Sequence, residues 1–228
     1  MPKVQQLFTK EVMEGLTMLS LPLRNRMDAS GYGGNRKSRA KGSSLEFSDF
    51  REYSPGDDLR RVDWNSYSRF GKVYLKLFLE EKQAAVRVFL DCSASMAQPE
   101  KLLQAKALAA ALSYPPLRGN DQVEFFSWNS SLQTMKKDIR RTDQFLSLLE
   151  WLDLQEAKGT TDPFLALQQA QPYRRGMTIL ISDFLVDADW KTILQFLRYQ
   201  KQEILLVQVL SEEELHPALN GTVRFVDK

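Results

Sequence analysis

Five oxygen-bearing side chains follow apolar runs of the sequence, where they could together bind a cation. Two are carboxylates, one after the run Val86–Leu90 and one after the run Met177–Ile181. The other three are hydroxyls, two of them spaced two residues apart. The set consists of Asp91, Ser93, Ser95, Thr161 and Asp183. Hard oxygen ligands of this kind suit Mg²⁺ or Mn²⁺ in octahedral geometry, so these residue types predict a divalent-cation site.

The same set offers little for catalysis. We expect no Cys, His or Lys among these groups apart from Cys92, which lies between Asp91 and Ser93 and should point away from them into the core. A catalytic thiol needs a neighbouring His or Lys. Hydroxyl ligands leave a bound ion electron-poor, and such an ion accepts a further anionic ligand. The residues therefore predict a non-enzymatic site that binds a partner's carboxylate through the metal.

The elements that must position these side chains alternate between strands and helices. Short apolar runs predict strands, and apolar residues at helical spacing predict helices. The predicted strands are 86–90, 122–126, 132–135, 177–181, 204–210 and 222–226, and the predicted helices are 101–112 (ending before Pro115), 142–152, 163–170 and 190–199. This alternation predicts an α/β fold with a mostly parallel sheet covered on both faces. Ligands of such sheets bind beyond the carboxyl ends of the strands.

The first 83 residues have a different character. Residues 4–20 repeat apolar positions at helical spacing, residues 24–44 are rich in Arg, Lys, Gly and Ser, and residues 73–80 alternate like a half-buried strand. We expect an N-terminal helix, a flexible basic loop and a small β-rich extension over 1–83, followed by the α/β domain over 84–228. The N-terminal helix is expected to dock on the domain core.

Composition limits the possible functions. Lys and Arg number 31 against 29 Asp and Glu, and the formal net charge of +2 does not favour nucleic-acid or membrane binding by the whole surface. There is a single cysteine and no Cys/His cluster for zinc. No run approaches the ~18 apolar residues of a membrane span. These features predict a cytoplasmic protein.

The residues after the two central strands resemble the metal-ion-dependent adhesion site of von Willebrand factor A domains. The Asp-x-Ser-x-Ser element is matched by Asp91, Ser93 and Ser95, the threonine of the second loop by Thr161, and the last aspartate by Asp183. Phe184 stands where the family frequently has glycine. The resemblance implies that the three hydroxyl residues contact the ion directly and that the aspartates do so directly or through water.

An upstream block resembles a narrower family, the bacterial domain of unknown function 58. Its signature is matched by Glu46-Phe47, Arg51-Glu52-Tyr53, Pro55-Gly56-Asp57-Asp58, Arg60-Arg61 and Asp63-Trp64. The resemblance extends from about residue 42 onward and implies this block joined to a von Willebrand A-like domain. Genes of that family commonly neighbour a MoxR-type AAA+ ATPase, which implies an ATPase partner in assembly or maturation of protein complexes. Members usually continue further, so the chain is either a short member or a truncated one.

Alternative interpretations accompany each of these predictions. The five residues of the predicted metal site could instead be ordinary caps and turns. Gly56, Asp57, Asp58, Arg60, Asp63 and Trp64 of the upstream block are expected to be structural, but their carboxylates could serve a metal-dependent phosphoesterase or nuclease together with Asp91 and Asp183. The basic segment from Arg24 to Lys41 could bind nucleic acid, which would show as a steep dependence on salt.

Overall fold

The computed structural model describes residues 3–21, 27–29, 46–81 and 84–217. The chain divides into two compact units, a larger one of Met1–Leu23 and Ala84–Lys228 and a smaller one of Arg24–Gln83. The observed division differs from the one predicted from the sequence, which placed all of residues 1–83 in one extension, because the N-terminal segment packs with the larger unit. Apart from residues 27–29, the basic segment 24–44 lies outside the described residues, as does the strand predicted at 222–226.

The N-terminal segment is broken where one helix was predicted. A 3-10 turn, Val4–Leu7, precedes helix α1, Lys10–Met18. Thr9 separates them, since its side chain accepts a hydrogen bond from the Val12 N–H at 3.4 Å and caps the new helix.

The same segment docks on the larger unit. The Val4 side chain is fully buried, and its N–H donates to the Asp153 carboxylate at 2.8 Å. The Phe8 ring meets the Phe145 ring edge-on at 5.4 Å between centroids. The expected docking of the N-terminal segment on the domain core is thereby confirmed.

The smaller unit is built on a three-stranded antiparallel sheet in the order β1-β3-β2. Its elements are β1 (Met27–Ala29), β2 (Glu46–Glu52), a 3-10 turn (Leu59–Arg61), α2 (Trp64–Phe70) and β3 (Tyr74–Glu81). Strand β1 falls within the segment predicted as a loop, because its backbone pairs with the end of β3. The β-rich extension is confirmed, whereas helix α2 was not predicted.

The larger unit contains a five-stranded sheet in the order β6-β5-β4-β7-β8. The strands are β4 (Ala85–Asp91), β5 (Gln122–Trp128), β6 (Leu132–Ile139), β7 (Gly176–Ser182) and β8 (Gln202–Gln208). Strand β4 pairs in parallel with β5 and β7, β7 pairs in parallel with β8, and only β6 runs antiparallel to its neighbour β5. The predicted mostly parallel sheet of an α/β fold is confirmed.

Helices cover both faces of this sheet. They are α3 (Pro99–Arg118), α4 (Phe145–Asp153), α5 (Pro163–Gln169), α6 (Trp190–Tyr199) and the short α7 (Glu212–Leu215), with 3-10 turns at Ala94–Met96 and Thr142–Gln144. Side chains of a strand alternate between its two faces. In β4, Val88 and Leu90 join the core cluster containing Ala109 of α3, and Phe89 joins the cluster containing Leu167 of α5.

Helix α3 continues through the two prolines at which it was predicted to stop. It ends only at Arg118, although Pro115 and Pro116 lack the N–H that a helix interior needs. Both residues lie in the last turn, where their carbonyls accept hydrogen bonds from Gly119 and Asp121 at 3.1 and 3.0 Å. Burial of Pro116 and Leu117 stabilises this turn. Throughout the described parts of the chain, no helix has the length and apolar character needed to cross a membrane.

Candidate metal and partner-binding site

Asp91 lies at the carboxyl end of β4, next to the end of the neighbouring parallel strand β7. Its side chain is buried, and both oxygens accept hydrogen bonds: Oδ1 from the Ser93 N–H at 2.9 Å and Oδ2 from the Ser182 hydroxyl at 2.6 Å. Parallel pairing of β4 with β7 places Leu90 beside Ile181, so the residues that follow both strands meet at one edge of the sheet.

Four of the five predicted ligands form one connected group at this edge. The hydroxyls of Ser93 and Ser95 lie 3.1 Å apart, and the Ser93 N–H donates to Asp91. Asp183 joins this group through Lys101, whose ammonium donates to Asp183 Oδ2 at 2.7 Å and to the Ser95 carbonyl at 3.0 Å. Asp183 Oδ1 accepts from the Leu185 N–H at 3.0 Å. Two carboxylates and two hydroxyls therefore converge from the loops after β4 and β7.

The fifth predicted ligand, Thr161, is held by a different contact. Its hydroxyl accepts a hydrogen bond from the indole N–H of Trp128 at 3.2 Å. The loop before it is tied to the segment after β4, since the Ala94 N–H donates to the Gly159 carbonyl and the Lys158 N–H to the Cys92 carbonyl, both at 2.8 Å. The threonine loop thus adjoins the Asp-x-Ser-x-Ser segment.

A lysine lies among these groups, so the expectation that none would do so is wrong. Lys101, in the first turns of α3, has a fully buried side chain. Its ammonium donates to Asp183 Oδ2 at 2.7 Å, to Glu214 Oε1 at 2.7 Å and to the Ser95 carbonyl at 3.0 Å. These bonds use all three donors of an ammonium, which has no lone pair to offer a substrate. In this arrangement Lys101 acts as a counter-charge.

The two aspartates differ in their electrostatics. Burial raises the pKa of Asp91, and the negative charge of Asp183 adds to the rise, against hydrogen bonds from Ser182 and Ser93. Burial also opposes ionisation of Asp183, but hydrogen bonds led by that from Lys101 outweigh it and hold the pKa below its usual range. The Lys101 ammonium therefore already stabilises the Asp183 carboxylate, whereas the hydrogen-bonding neighbours of Asp91 include no cation.

Phe184 shows why glycine is common at its position in the resembled family. Its φ of 57° lies in the left-handed region, which glycine enters freely and bulky residues rarely do. The conformation lets the Phe184 N–H donate to the Ser182 hydroxyl at 3.0 Å, and the ring packs edge-on against Trp190 at 5.0 Å. Packing and this hydrogen bond offset the backbone strain.

Three side chains of this site were missed from the sequence: Ser182, Lys101 and Glu214. Ser182 could have been found from the sequence, because it is a hydroxyl residue directly before Asp183. Lys101 is spaced four and eight residues before the buried Ala105 and Ala109, so it shares their buried helix face, and this spacing was the available signal. Glu214 had no local signal, because it approaches from α7 far along the chain.

The donor set fits a hard divalent ion in its chemistry, with one obstacle. Carboxylate and hydroxyl oxygens are the ligands that Mg²⁺ takes. Among the described residues no cluster of three or more His, Cys, Asp or Glu could hold a metal, so an ion here would depend on the hydroxyls. The obstacle is the Lys101 ammonium, which already occupies Asp183 Oδ2.

Carboxylates of the upstream block each bind partners within the smaller unit. Asp57 accepts from Arg51 at 2.6 Å and from the Ser54 N–H at 2.9 Å. Asp58 accepts from the Arg60 N–H at 3.0 Å and begins the following 3-10 turn.

Asp63 has a comparable local role. It caps helix α2, which begins at Trp64, and accepts from the Ser66 hydroxyl at 2.7 Å. The Lys76 ammonium lies 3.3 Å from its Oδ1. Gly56 has a φ of 104°, which its turn requires and which glycine permits. Such contacts serve local structure.

Curated relatives of this chain are uncharacterized. They include the uncharacterized proteins Rv1480 of Mycobacterium tuberculosis and Mb1516 of Mycobacterium bovis, each 26% identical over 209 residues. Each match covers 88% of this chain and 65% of the relative. The chain therefore spans slightly less than two thirds of the length of these relatives.

Solved structures with partial similarity include the conserved hypothetical protein BatB from Bacteroides thetaiotaomicron, with a TM-score of 0.42 and 19% identity over 55% of this chain and 66% of that one. A von Willebrand factor type A structure from Catenulispora acidiphila has a TM-score of 0.42 and 15% identity over 56% of this chain and 33% of that one. A family model described as protein of unknown function DUF58 matches residues 49–228. Since that match spans most of the chain, the protein belongs to the DUF58 family.

Proposed function

We propose that this protein is a non-catalytic binding module that holds a partner protein through a divalent ion, Mg²⁺ or Mn²⁺, at the edge formed by Asp91 and Asp183. The observation that supports this is the connected group of Asp91, Ser93, Ser95 and Asp183 beyond the carboxyl ends of two adjacent parallel strands. Ligands of open α/β sheets bind at this edge. Membership of the DUF58 family with a von Willebrand A-like fold accords with a role in protein interaction.

The charge distribution at this edge supports the ion. Two buried carboxylates repel each other, and the raised pKa of Asp91 reflects burial first and this repulsion in part. A divalent cation would favour the ionised form of both aspartates. Coordinated by neutral hydroxyls on its remaining sides, the ion would keep a position for a carboxylate of the partner. Thr161 would complete the ligand set from the neighbouring loop.

The partner in this proposal is a MoxR-type AAA+ ATPase, and the process is assembly or maturation of protein complexes. This rests on the resemblance of the upstream block to its family. The cytoplasmic location is likewise part of the proposal and rests on the single cysteine. A binding assay between the two purified proteins in Mg²⁺ and in EDTA tests it, and binding that is indifferent to EDTA would contradict a metal-bridged contact.

The hydrolase alternative has less support. It requires Asp57, Asp58 or Asp63 to share an ion with Asp91 and Asp183, whereas each of the three accepts hydrogen bonds within its own turn or helix cap. The lysine at the candidate site donates all its protons to other groups. No observation on the described residues favours hydrolysis over binding.

Thermal unfolding in Mg²⁺, Mn²⁺ or EDTA tests the ion. An ion bound only by the folded state stabilises it by about 2.7 kcal/mol at a concentration of about a hundred times its Kd. We expect a metal-dependent rise in Tm for the wild type, and none for Asp91→Ala or the milder Ser93→Ala. The matched control is Asp189→Asn, which removes a carboxylate that caps α6 elsewhere in the same unit. A rise that persists in Asp91→Ala would contradict the proposed site.

A further inference from the structure

Lys101 occupies the position of a cation at the candidate site. Its side chain has no exposed surface, and the ammonium lies 2.7 Å from an oxygen of Asp183, itself 2% exposed in its side chain. The ammonium has no N–H left to donate to water, because its three donors are directed at Asp183, Glu214 and the Ser95 carbonyl. A buried carboxylate needs such a compensating charge.

Its oxygen ligands overlap with those of the proposed ion. Asp183 belongs to the predicted ligand set, and the Ser95 carbonyl belongs to the same residue as the predicted Ser95 hydroxyl ligand. An ion that took Asp183 Oδ2 would have to share or displace the ammonium, since two cations on one carboxylate oxygen repel each other. The lysine and the ion are therefore alternatives at this carboxylate.

Glu214 gives the displaced ammonium a second partner. Its Oε1 contacts Lys101 at 2.7 Å, while its Oε2 accepts from the Ser211 N–H at 2.8 Å and so fixes the side chain at the start of α7. The Glu214 side chain is 30% exposed, in contrast to that of Asp183. An ammonium released by Asp183 can stay bound to Glu214 nearer the solvent.

There is also space into which the lysine can move. A groove of about 270 Å³ lies beside it, between the start of α3 and the segment leading into α7. Three glutamates, at positions 100, 212 and 213, line this groove. A negatively charged groove favours the released ammonium over burial in an apolar space.

From these contacts we infer that Lys101 is a built-in cation that substitutes for the divalent ion at Asp183 and competes with it, so that the ion binds only by displacing the lysine toward Glu214. This inference rests on the proposed cation site. It predicts that the lysine lowers the apparent metal affinity of the wild type. It also predicts that the folded state becomes dependent on metal when the lysine is removed.

The test compares Lys101→Met with the wild type in thermal unfolding over an MgCl₂ titration that starts in EDTA, and Mn²⁺ binding is followed by electron paramagnetic resonance. We expect Lys101→Met to be less stable than the wild type in EDTA. Metal should restore the stability of Lys101→Met. The metal concentration that gives half of this effect should be lower than in the wild type by about tenfold or more, which corresponds to about 1.4 kcal/mol. The matched control is Lys106→Met, which removes another buried lysine of α3, one that donates instead to the Asp153 carbonyl.

The outcomes distinguish the proposed cation site from the competition between Lys101 and the ion. Equal half-maximal concentrations for the wild type and Lys101→Met, or weaker metal binding by Lys101→Met, would overturn the competition while leaving the proposed site intact. No metal response in any variant would remove the proposed site and this inference with it. If Lys101→Met does not fold even with metal, Glu214→Gln decides. Without the Glu214 carboxylate the displaced Lys101 loses its second partner, so Glu214→Gln should need a higher metal concentration than the wild type for half-maximal stabilisation. An unchanged or lower concentration overturns the inference.

Discussion

The Lys101 ammonium lies 2.7 Å from the Asp183 carboxylate, and neither side chain is more than 2% exposed. The two residues are 82 positions apart in the chain and meet because α3 begins beside the carboxyl end of β7. A buried pair of this kind contributes less by attraction than each member would cost if it were left alone.

Replacing one member of this pair should destabilise the fold more than the loss of their mutual attraction alone. We expect Asp183→Asn to lower the free energy of unfolding by roughly 3–5 kcal/mol, because the buried ammonium loses a charged partner. The double variant Asp183→Asn/Lys101→Met should be destabilised by less than the sum of the single variants. Equilibrium urea unfolding in EDTA measures both. Asp189→Asn serves as a control expected to cost less than about 1 kcal/mol, because Asn caps a helix about as well as Asp and only the favourable charge at the helix N-terminus is lost. Strict additivity of the pair would argue against coupling.

The pairing of β4 with β7 depends on Gly176. A Cβ at this position would lie 1.9 Å from the Ala85 carbonyl oxygen, so Gly176→Ala forces the two central strands apart. We expect a loss of about 1–3 kcal/mol in urea unfolding, the usual range for overpacking. Gly15→Ala is the matched control, since a Cβ there meets nothing within 4 Å inside helix α1. The control should be neutral or stabilising by up to about 1 kcal/mol. Equal changes in unfolding free energy for Gly176→Ala and Gly15→Ala would count against the close approach of Gly176 to the Ala85 carbonyl.

The docking of the N-terminal segment depends on Val4. The side chain is fully buried, and its truncation in Val4→Ala removes the equivalent of two methylenes from the core. We expect a loss of about 1.6 kcal/mol in the unfolding free energy of the larger unit. Gln5→Ala, at the exposed neighbouring position, should change it by less than about 0.5 kcal/mol. A Val4→Ala variant as stable as Gln5→Ala would show that this segment does not pack in solution.

The smaller unit should lose stability in acid through Asp63. The hydrogen bond from the Ser66 hydroxyl, and then the Lys76 ammonium, lower the pKa of Asp63 below its usual value against the effect of burial. A carboxyl whose folded-state pKa is depressed stabilises the fold above its unfolded pKa of about 3.9, and this stabilisation is lost as the pH falls through the folded pKa. Carbon-detected NMR titration of Asp63 in the wild type, Ser66→Ala and Lys76→Met measures the shift. We expect the pKa to rise in both variants, and an unchanged value would contradict these contacts.

Much of the larger unit was predictable because its signals are local. The continuous apolar strands and the helix Trp190–Tyr199 follow from periodicity alone, and the helix bounds agree with those predicted. Asp162, directly before the predicted helix 163–170, accepts from the Leu165 N–H at 2.9 Å and caps α5. Two predictions of helix bounds failed. Helix α3 continues through Pro115, where burial of Pro116 and Leu117 stabilises the last turn. The N-terminal helix breaks at Thr9, whose side chain caps α1.

Cys92 and Lys101 illustrate the limit of local signals at the site. The cysteine was expected to be a small core residue, and it is 2% exposed, with burial raising the pKa of its thiol to about 12. The lysine was expected to lie outside the group, because a charged residue at the start of a helix is ordinarily solvated. Its burial depends on two carboxylates that approach from the ends of β7 and α7.

The sequence by itself determined the α/β class, the order of strands and helices in the larger unit, the family signature and the residue types at the strand ends. These depend on periodicity and spacing along the chain. Only the tertiary structure decided which charges meet. It placed Lys101 on Asp183 and Glu214, and it paired Arg87, inside an apolar strand, with Glu124 of the next strand at 2.8 Å. The physical reason is that a charge can be buried only where an opposite charge lies within a few ångströms, and the folded sheet sets those distances.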